Sequence, residues 1–121
     1  MGMNRVLIVD DDARIGRIIK RIATKLRLEA SVIDNPDVFE SEYLTHQPDL
    51  IFMDLQMPVM DGYEAMRKIR SNVAISQPRI IVISANVQPQ DVSNSYNAGA
   101  DGFLPKPIDR KALVDIINAI S

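Results

Sequence analysis

A chain of 121 residues with 46% hydrophobic and 25% charged residues has the size and composition of one globular domain that buries its own core without a metal or disulfide staple. A net charge of −2 gives no footing for direct nucleic-acid binding, and the absence of cysteine excludes a disulfide scaffold, a thiol nucleophile and a Cys-based zinc site. No apolar run approaches the roughly 20 residues of a bilayer span and the N-terminus lacks a signal-peptide core, so a cytoplasmic protein with no membrane association is expected.

Met1-Gly2 would suit myristoylation, but that motif asks for Ser or Thr at the sixth position and Val6 stands there; Met3 is a candidate natural start. Val6 to Val9 is a continuous apolar run of the kind found in a strand covered on both faces, and it ends in Asp10-Asp11-Asp12. Ala13 to Leu26 has helical spacing, with Ile15, Ile18, Ile19, Ile22 and Leu26 inward and Asp12 placed to cap it. Arg14, Arg17, Arg21 and Lys25 form a second stripe, either a solvated face or a docking surface. Ala30 to Ile33 is a short second strand. Asn35-Pro36 reads as a helix start, Val38, Phe39, Tyr43 and Leu44 supply its apolar side, and His46-Gln47-Pro48 ends it.

Leu50 to Met53 predicts a third strand that delivers Asp54, after which Pro58 and Asp61-Gly62 break the run. The third helix that opens there turns Tyr63, Met66 and Ile69 inward and Arg67, Lys68 and Arg70 to water, and Ser71 to Pro78 is a polar connector. Ile80 to Ile83 is a fourth strand closed by Ser84-Ala85-Asn86. Pro89 to Ala98 predicts a fourth helix, but Ser93, Asn94, Ser95 and Asn97 are poor helix formers and only Val92 and Tyr96 offer large anchors, so it should be the loosest element. Gly99 caps it, Gly102 to Pro105 is a short fifth strand, and Leu113, Ile116, Ile117 and Ile120 line a last helix.

Strands alternating five times with helices predict an α/β fold with a doubly wound parallel sheet and right-handed crossovers. Pro105 cannot donate to a sheet ladder, which puts the fifth strand at an edge. A flavodoxin-like (βα)5 sheet of order 2-1-3-4-5 satisfies this, and it sets the ends of strands one and three side by side where ligands bind. Asp10, Asp11 and Asp54 then converge, with Ser84 and Lys106 at the ends of the neighbouring strands. Carboxylates this close repel by roughly 4 kcal/mol per pair at an effective dielectric near 20, so a cation must sit among them. Oxygen ligands without His or Cys point to a hard ion, best Mg²⁺. A carboxylate nucleophile, a metal, a lysine and a hydroxyl are the parts for in-line phosphoryl transfer to Asp54.

Val9-Asp10-Asp11, Met53 to Gly62, Ser84-Ala85 and Ala98 to Pro107 together resemble the receiver domain of bacterial two-component response regulators, in the family's order and spacing over nearly the whole chain. The resemblance implies a phosphorelay protein in which Asp54 accepts phosphate from a sensor histidine kinase or a histidine phosphotransfer protein. It implies Mg²⁺ bound by Asp11, by Asp10 directly or through water, by Asp54 and by the backbone carbonyl of Gln56. Ser84 corresponds to the hydroxyl that moves to the phosphoryl group, Lys106 to its ion-pair partner, and Phe103 to the aromatic that turns inward in response. Gln56 and Asn86, each two residues past a site residue, should flank the hydrolytic water and tune the lifetime of the acyl phosphate. Lys106-Pro107 is a candidate cis bond.

The output surface expected from this reading is the face of the fourth helix, fifth strand and fifth helix, binding a protein partner and no nucleic acid. Phe103 stands where Tyr is common, and the fourth helix lacks the charges many receivers carry there. The residues around Asp54 are similar to receivers attached to hybrid histidine kinases, yet the chain ends at Ser121, so residues 1 to 121 are expected to form a single receiver domain with no effector domain. Such a domain is a signalling module that catalyses only its own phosphorylation and dephosphorylation. A haloacid-dehalogenase-like phosphatase is the rival from the enzyme class; it wants a second Asp two residues after the nucleophile, where this chain has Gln56. A flavodoxin is the rival binding module, but its flavin phosphate would meet a wall of carboxylates.

Overall fold

The computed structural model describes residues 5–35, 38–57 and 61–120, the side chain of Ile120 apart. The expectations that rest on Met1, Gly2, Met3, Pro36, Pro58, Val59, Met60 and the inward face of Ile120 lie outside the described residues. The elements run β1 (Arg5–Val9), α1 (Ala13–Lys25), β2 (Glu29–Ile33), α2 (Phe39–His46), β3 (Leu50–Asp54), α3 (Gly62–Ser71), β4 (Arg79–Ser84), α4 (Pro89–Ala98), β5 (Gly102–Pro105) and α5 (Arg110–Ile120).

All strand pairings are parallel and the sheet order is β2-β1-β3-β4-β5, the flavodoxin-like order expected from the alternation of elements. Alternate residues of the central strands feed two separate cores, because a strand turns successive side chains to opposite faces. Leu7, Val9, Ile51, Met53, Ile80 and Val82 pack with Phe39 and Tyr43 of α2, Ala65, Met66 and Ile69 of α3 and Ala98 of α4. Val6, Ile8, Leu50, Phe52, Ile81 and Ile83 pack on the other side with Ile19, Ile22 and Ala23 of α1 and Leu113 and Ile117 of α5. Gly16 lets α1 lie against the sheet edge, since a Cβ there would stand 2.8 Å from Val32 Cγ1.

The caps expected at Asp12 and Gly99 form, and Asp61 caps α3. Asp12 Oδ1 accepts the N–H of Arg14 at 2.9 Å, and Asp61 Oδ1 accepts the N–H of Tyr63 at 3.0 Å. Gly99 closes α4 at φ 121°, in the region open to glycine.

Six expectations need correction. Helix α2 begins at Phe39, later than Asn35-Pro36 suggests, because Val38 sits at φ −98°, ψ 2° and its N–H donates to the Asn35 carbonyl at 3.3 Å, making a turn before the helix. Within α2, Phe39 and Tyr43 face the core, stacked 5.8 Å apart, while Val38 and Leu44 are exposed. Ile18 of α1 is 45% exposed: the buried stripe is centred on Ile19, and Ile18 stands a full 100° away around the helix. Helix α4 seats Ser95 and Ala98, whereas Tyr96 is 48% exposed and Val92 half-buried. Ser95 is tolerated inside because its hydroxyl donates to the Asp91 carbonyl at 2.9 Å. Arg70 does not face water, and Ser71 completes α3 in place of opening the connector.

Candidate functional site

The site lies beyond the carboxyl ends of β1, β3, β4 and β5. In the β1–β3 pairing Val9 lies opposite Met53, so the residues that follow, Asp10 and Asp54, emerge side by side. Both are inside the protein, at 0% and 1% exposure, while Asp11 is exposed. One carboxylate oxygen from each of Asp10, Asp11 and Asp54 falls within 4.8 Å of the others.

Each buried acid has one oxygen held by the backbone. Asp10 Oδ1 accepts the N–H of Asp12 at 2.8 Å, and Asp54 Oδ1 accepts the N–H of Gln56 at 2.9 Å. The other oxygens face the lysine that follows β5: Lys106 Nζ is 3.3 Å from Asp10 Oδ2 and 3.5 Å from Asp54 Oδ2. The cis peptide at Lys106-Pro107 agrees with the sequence expectation. Burial, followed by the charge of Asp54, raises the pKa of Asp10 from 3.8 to about 6, against the pull of the Asp12 N–H and Lys106. Asp10 Oδ2 is buried and, among the described residues, accepts no hydrogen bond despite its ion pair with Lys106. A buried carboxylate oxygen without a hydrogen bond is costly, and a cluster of three carboxylates fits a hard divalent cation of the Mg²⁺ kind.

The fourth strand end brings Ser84, 1% exposed, whose Oγ accepts the N–H of Asn86 at 3.0 Å, leaving its own proton to donate elsewhere. The Ser84 carbonyl takes the N–H of Lys106 at 2.9 Å, which ties the hydroxyl-bearing strand to the lysine. Phe103 is half-buried and packs against the α2, α3 and α4 side of the sheet. Its cross-strand partner is Val82, two residues before Ser84, so Ser84 and Phe103 share a face. Gln56 and Asn86 are exposed at the mouth. The site residues singled out from the sequence are thus brought to one end of the sheet, Phe103 standing one strand over.

One contact was not foreseen. The Gln56 side chain crosses to the next loop, where its Oε1 accepts the N–H of Ala85 at 3.1 Å. A long amide two residues past a strand end was the available signal, but nothing local says which loop it reaches.

Fold and cluster together define a doubly wound α/β protein with an acidic, cation-ready site at the point where the strand order reverses. A family model described as the response regulator receiver domain matches residues 6–118, and the chain belongs to that family. It is 38% identical over 116 residues to the chemotaxis protein CheY of Bacillus subtilis (strain 168), covering 95% of each chain. Hybrid signal transduction histidine kinase L of Dictyostelium discoideum is 35% identical over 121 aligned residues, 95% of this chain and 7% of that protein. Among solved structures, a signal receiver domain from Bermanella marisrubri superposes with a TM-score of 0.86 at 30% identity, covering 96% of each chain. Two-component signalling is the setting of the family, and no described helix is long and apolar enough to cross a membrane.

Proposed function

We propose that Asp54 is the phosphoacceptor of this receiver, taking a phosphoryl group from a histidine kinase or histidine phosphotransfer protein. The observation that carries this is the pair of buried carboxylates, Asp10 and Asp54, at the strand ends with Lys106 Nζ between them. An Asp54 oxygen forms the new O–P bond as the donor's P–N bond breaks and its imidazole leaves. The backbone N–H of Gln56 holds the attacking carboxylate in place, and the Lys106 ammonium offsets the charge gathering on the transferred group. The Ser84 hydroxyl supplies a donor to a phosphoryl oxygen.

Asp10, Asp11, Asp54 and the Gln56 carbonyl would hold Mg²⁺. Bound there, the ion would neutralise part of the negative charge that the acids and the phosphoryl group share. The similarity to a hybrid histidine kinase supports a phosphohistidine donor. Ser84 and Phe103, on one face of the sheet, would pass the change to α4, β5 and α5, where a downstream protein docks; the net charge of −2 speaks against nucleic acid as its ligand. Residues 6–118 would act as a receiver domain in the cytoplasm.

The test is chemical labelling. Acetyl phosphate with Mg²⁺ adds one phosphoryl group to the wild-type protein, read by intact mass, and none to Asp54→Asn. Equal labelling of the two would remove Asp54 from this role.

A further inference from the structure

The turn after β4 holds its hydrogen-bond donors in check. Two of its backbone N–H groups stand beside Ser84, and both are occupied: Asn86 N–H by Ser84 Oγ and Ala85 N–H by Gln56 Oε1. The two bonds differ in kind. The first lies within the turn and travels with it, whereas the second anchors the turn to the loop after β3. Gln56 is itself fixed at its other end, because its N–H is held by Asp54 Oδ1 at 2.9 Å. One residue therefore links the acceptor carboxylate to the segment that carries Ser84.

We infer that the Gln56 side chain is a latch that holds the Ser84–Asn86 turn in its resting position and must release Ala85 before the turn can move onto a phosphoryl group at Asp54. This rests on the phosphoacceptor reading of Asp54 and makes Gln56 a positioning residue in the regulation of that site. A phosphoryl group brings several acceptor oxygens and calls for N–H and O–H donors. The Ser84 hydroxyl is available, but Ala85 N–H becomes available only when Gln56 lets go. Ala85 has no polar side chain to substitute, and Gln56 is exposed, so water can satisfy its amide once it leaves. The latch is thus weak enough to open, while its closed state lowers apparent affinity for any group that needs the turn moved. A single neutral hydrogen bond of this kind is worth roughly a three- to tenfold shift in that affinity.

The chain carries the controls needed to separate a latch from general loop packing. Gln56→Met keeps the length and removes the acceptor; Gln56→Glu keeps an acceptor oxygen at the same reach. Beryllofluoride with Mg²⁺ is the probe, since it forms no lasting acyl phosphate and hydrolysis does not enter. Gln56→Met should bind it roughly three- to tenfold more tightly than wild type, with Gln56→Glu at or below wild type. Independently, the Ala85 amide should exchange with solvent faster in Gln56→Met than in wild type without metal or beryllofluoride, and Gln56→Glu should keep its protection. Wild-type protein that takes up no beryllofluoride would overturn the phosphoacceptor reading. Wild-type binding with no gain in Gln56→Met, or an Ala85 amide indifferent to that change, would overturn the latch.

Discussion

Arg70 donates from Nε and Nη2 to the carbonyl of Gly99, at 2.9 and 2.8 Å, so the last turn of α3 is fastened to the C-terminal cap of α4. The same guanidinium donates from Nη1 to the Pro78 carbonyl at 2.7 Å and pairs with Asp101 Oδ2 at 2.8 Å, and that oxygen also accepts the Ile80 N–H at 2.9 Å. Removing it strands two backbone carbonyls and leaves Asp101 with the Ile80 N–H and, as its cationic partner, the more distant Arg79, 3.6 Å away. Arg70→Ala is expected to lower unfolding stability by about 1–3 kcal/mol, and Arg70→Lys to recover only part, since an ammonium cannot reproduce the fork. The midpoint of urea unfolding at unchanged slope is the measurement. A loss under roughly 0.5 kcal/mol would mean that water replaces the side chain.

The role of Arg70 shows where a sequence is legible and where it is not. Five strands, five helices and the ends that carry Asp10, Asp54, Ser84 and Lys106 follow from local periodicity and from residues that break it, and these the chain declares residue by residue. The partners of Arg70 lie 7 to 31 positions away, at Gln77, Pro78, Gly99 and Asp101, and no local pattern names them. Ile18 and Tyr96 failed for a related reason: an apolar residue at the flank of a helix is buried only if a neighbour reaches it, and hydrophobicity alone places too many residues inside. Ser95 shows the converse, a polar residue that enters the core because its hydroxyl finds a carbonyl one turn back.

The acid cluster gives a pH signature in the absence of metal. Asp10 has its pKa raised from 3.8 to about 6 in the folded protein, first by burial and then by Asp54, so between those values the folded state binds more protons than the unfolded state. Stability carried by this group is therefore present below about pH 4 and is lost as pH rises to about 6. Asp10→Asn removes the effect: its advantage over metal-free wild type should grow from about pH 4 to 6 and then level off near roughly 3 kcal/mol. Mg²⁺ should raise the melting temperature of wild type and shrink that gap. Asp11→Ala, which removes a charge from the exposed side of the cluster, should raise the metal-free melting temperature and abolish the Mg²⁺ response. A metal response that survives Asp11→Ala would place the ion elsewhere.

Gln56 and Asn86 stand exposed at the mouth of the site, on two loops joined by the Gln56 to Ala85 hydrogen bond. On the phosphoacceptor reading proposed above, a water that attacks an acyl phosphate at Asp54 would pass between them. Exchanging either for alanine should change the decay rate of the phosphorylated protein by at least roughly threefold, about 0.7 kcal/mol in the barrier, while labelling by acetyl phosphate persists. Loss of the phosphoryl group followed by intact mass reads the rate. Unchanged decay in both variants would show that water enters by another route.

The last prediction concerns how a phosphoryl group at Asp54 reaches the surface. Ser84 is buried beside the site with its proton free to donate, and Phe103 lies on the same face of the sheet, packed but not sealed. A new dianion attracts the hydroxyl; as Ser84 moves it vacates space that the ring of Phe103 can fill. The step moves a population only if the competing states lie within a few kcal/mol. Helix α4 meets that condition at one end: Gln88 gives it no side-chain cap, Ser95 and Ala98 are its only buried residues, and Tyr96 is half in solvent. Its other end is held by Arg70 on Gly99, so the free N-terminal half is the part expected to shift while the cap stays. Ser84→Ala should therefore remain phosphorylatable yet fail to pass the change on, at a stability cost of about 1 kcal/mol for the orphaned Asn86 N–H. Hydrogen exchange with and without beryllofluoride decides the matter. Protection in wild type should change from residue 86 to 107, most in the first turns of α4 and least at Gly99, and Ser84→Ala should confine it to the surroundings of Asp54. Identical exchange of residues 86 to 107 in both states of the wild type would rule this route out.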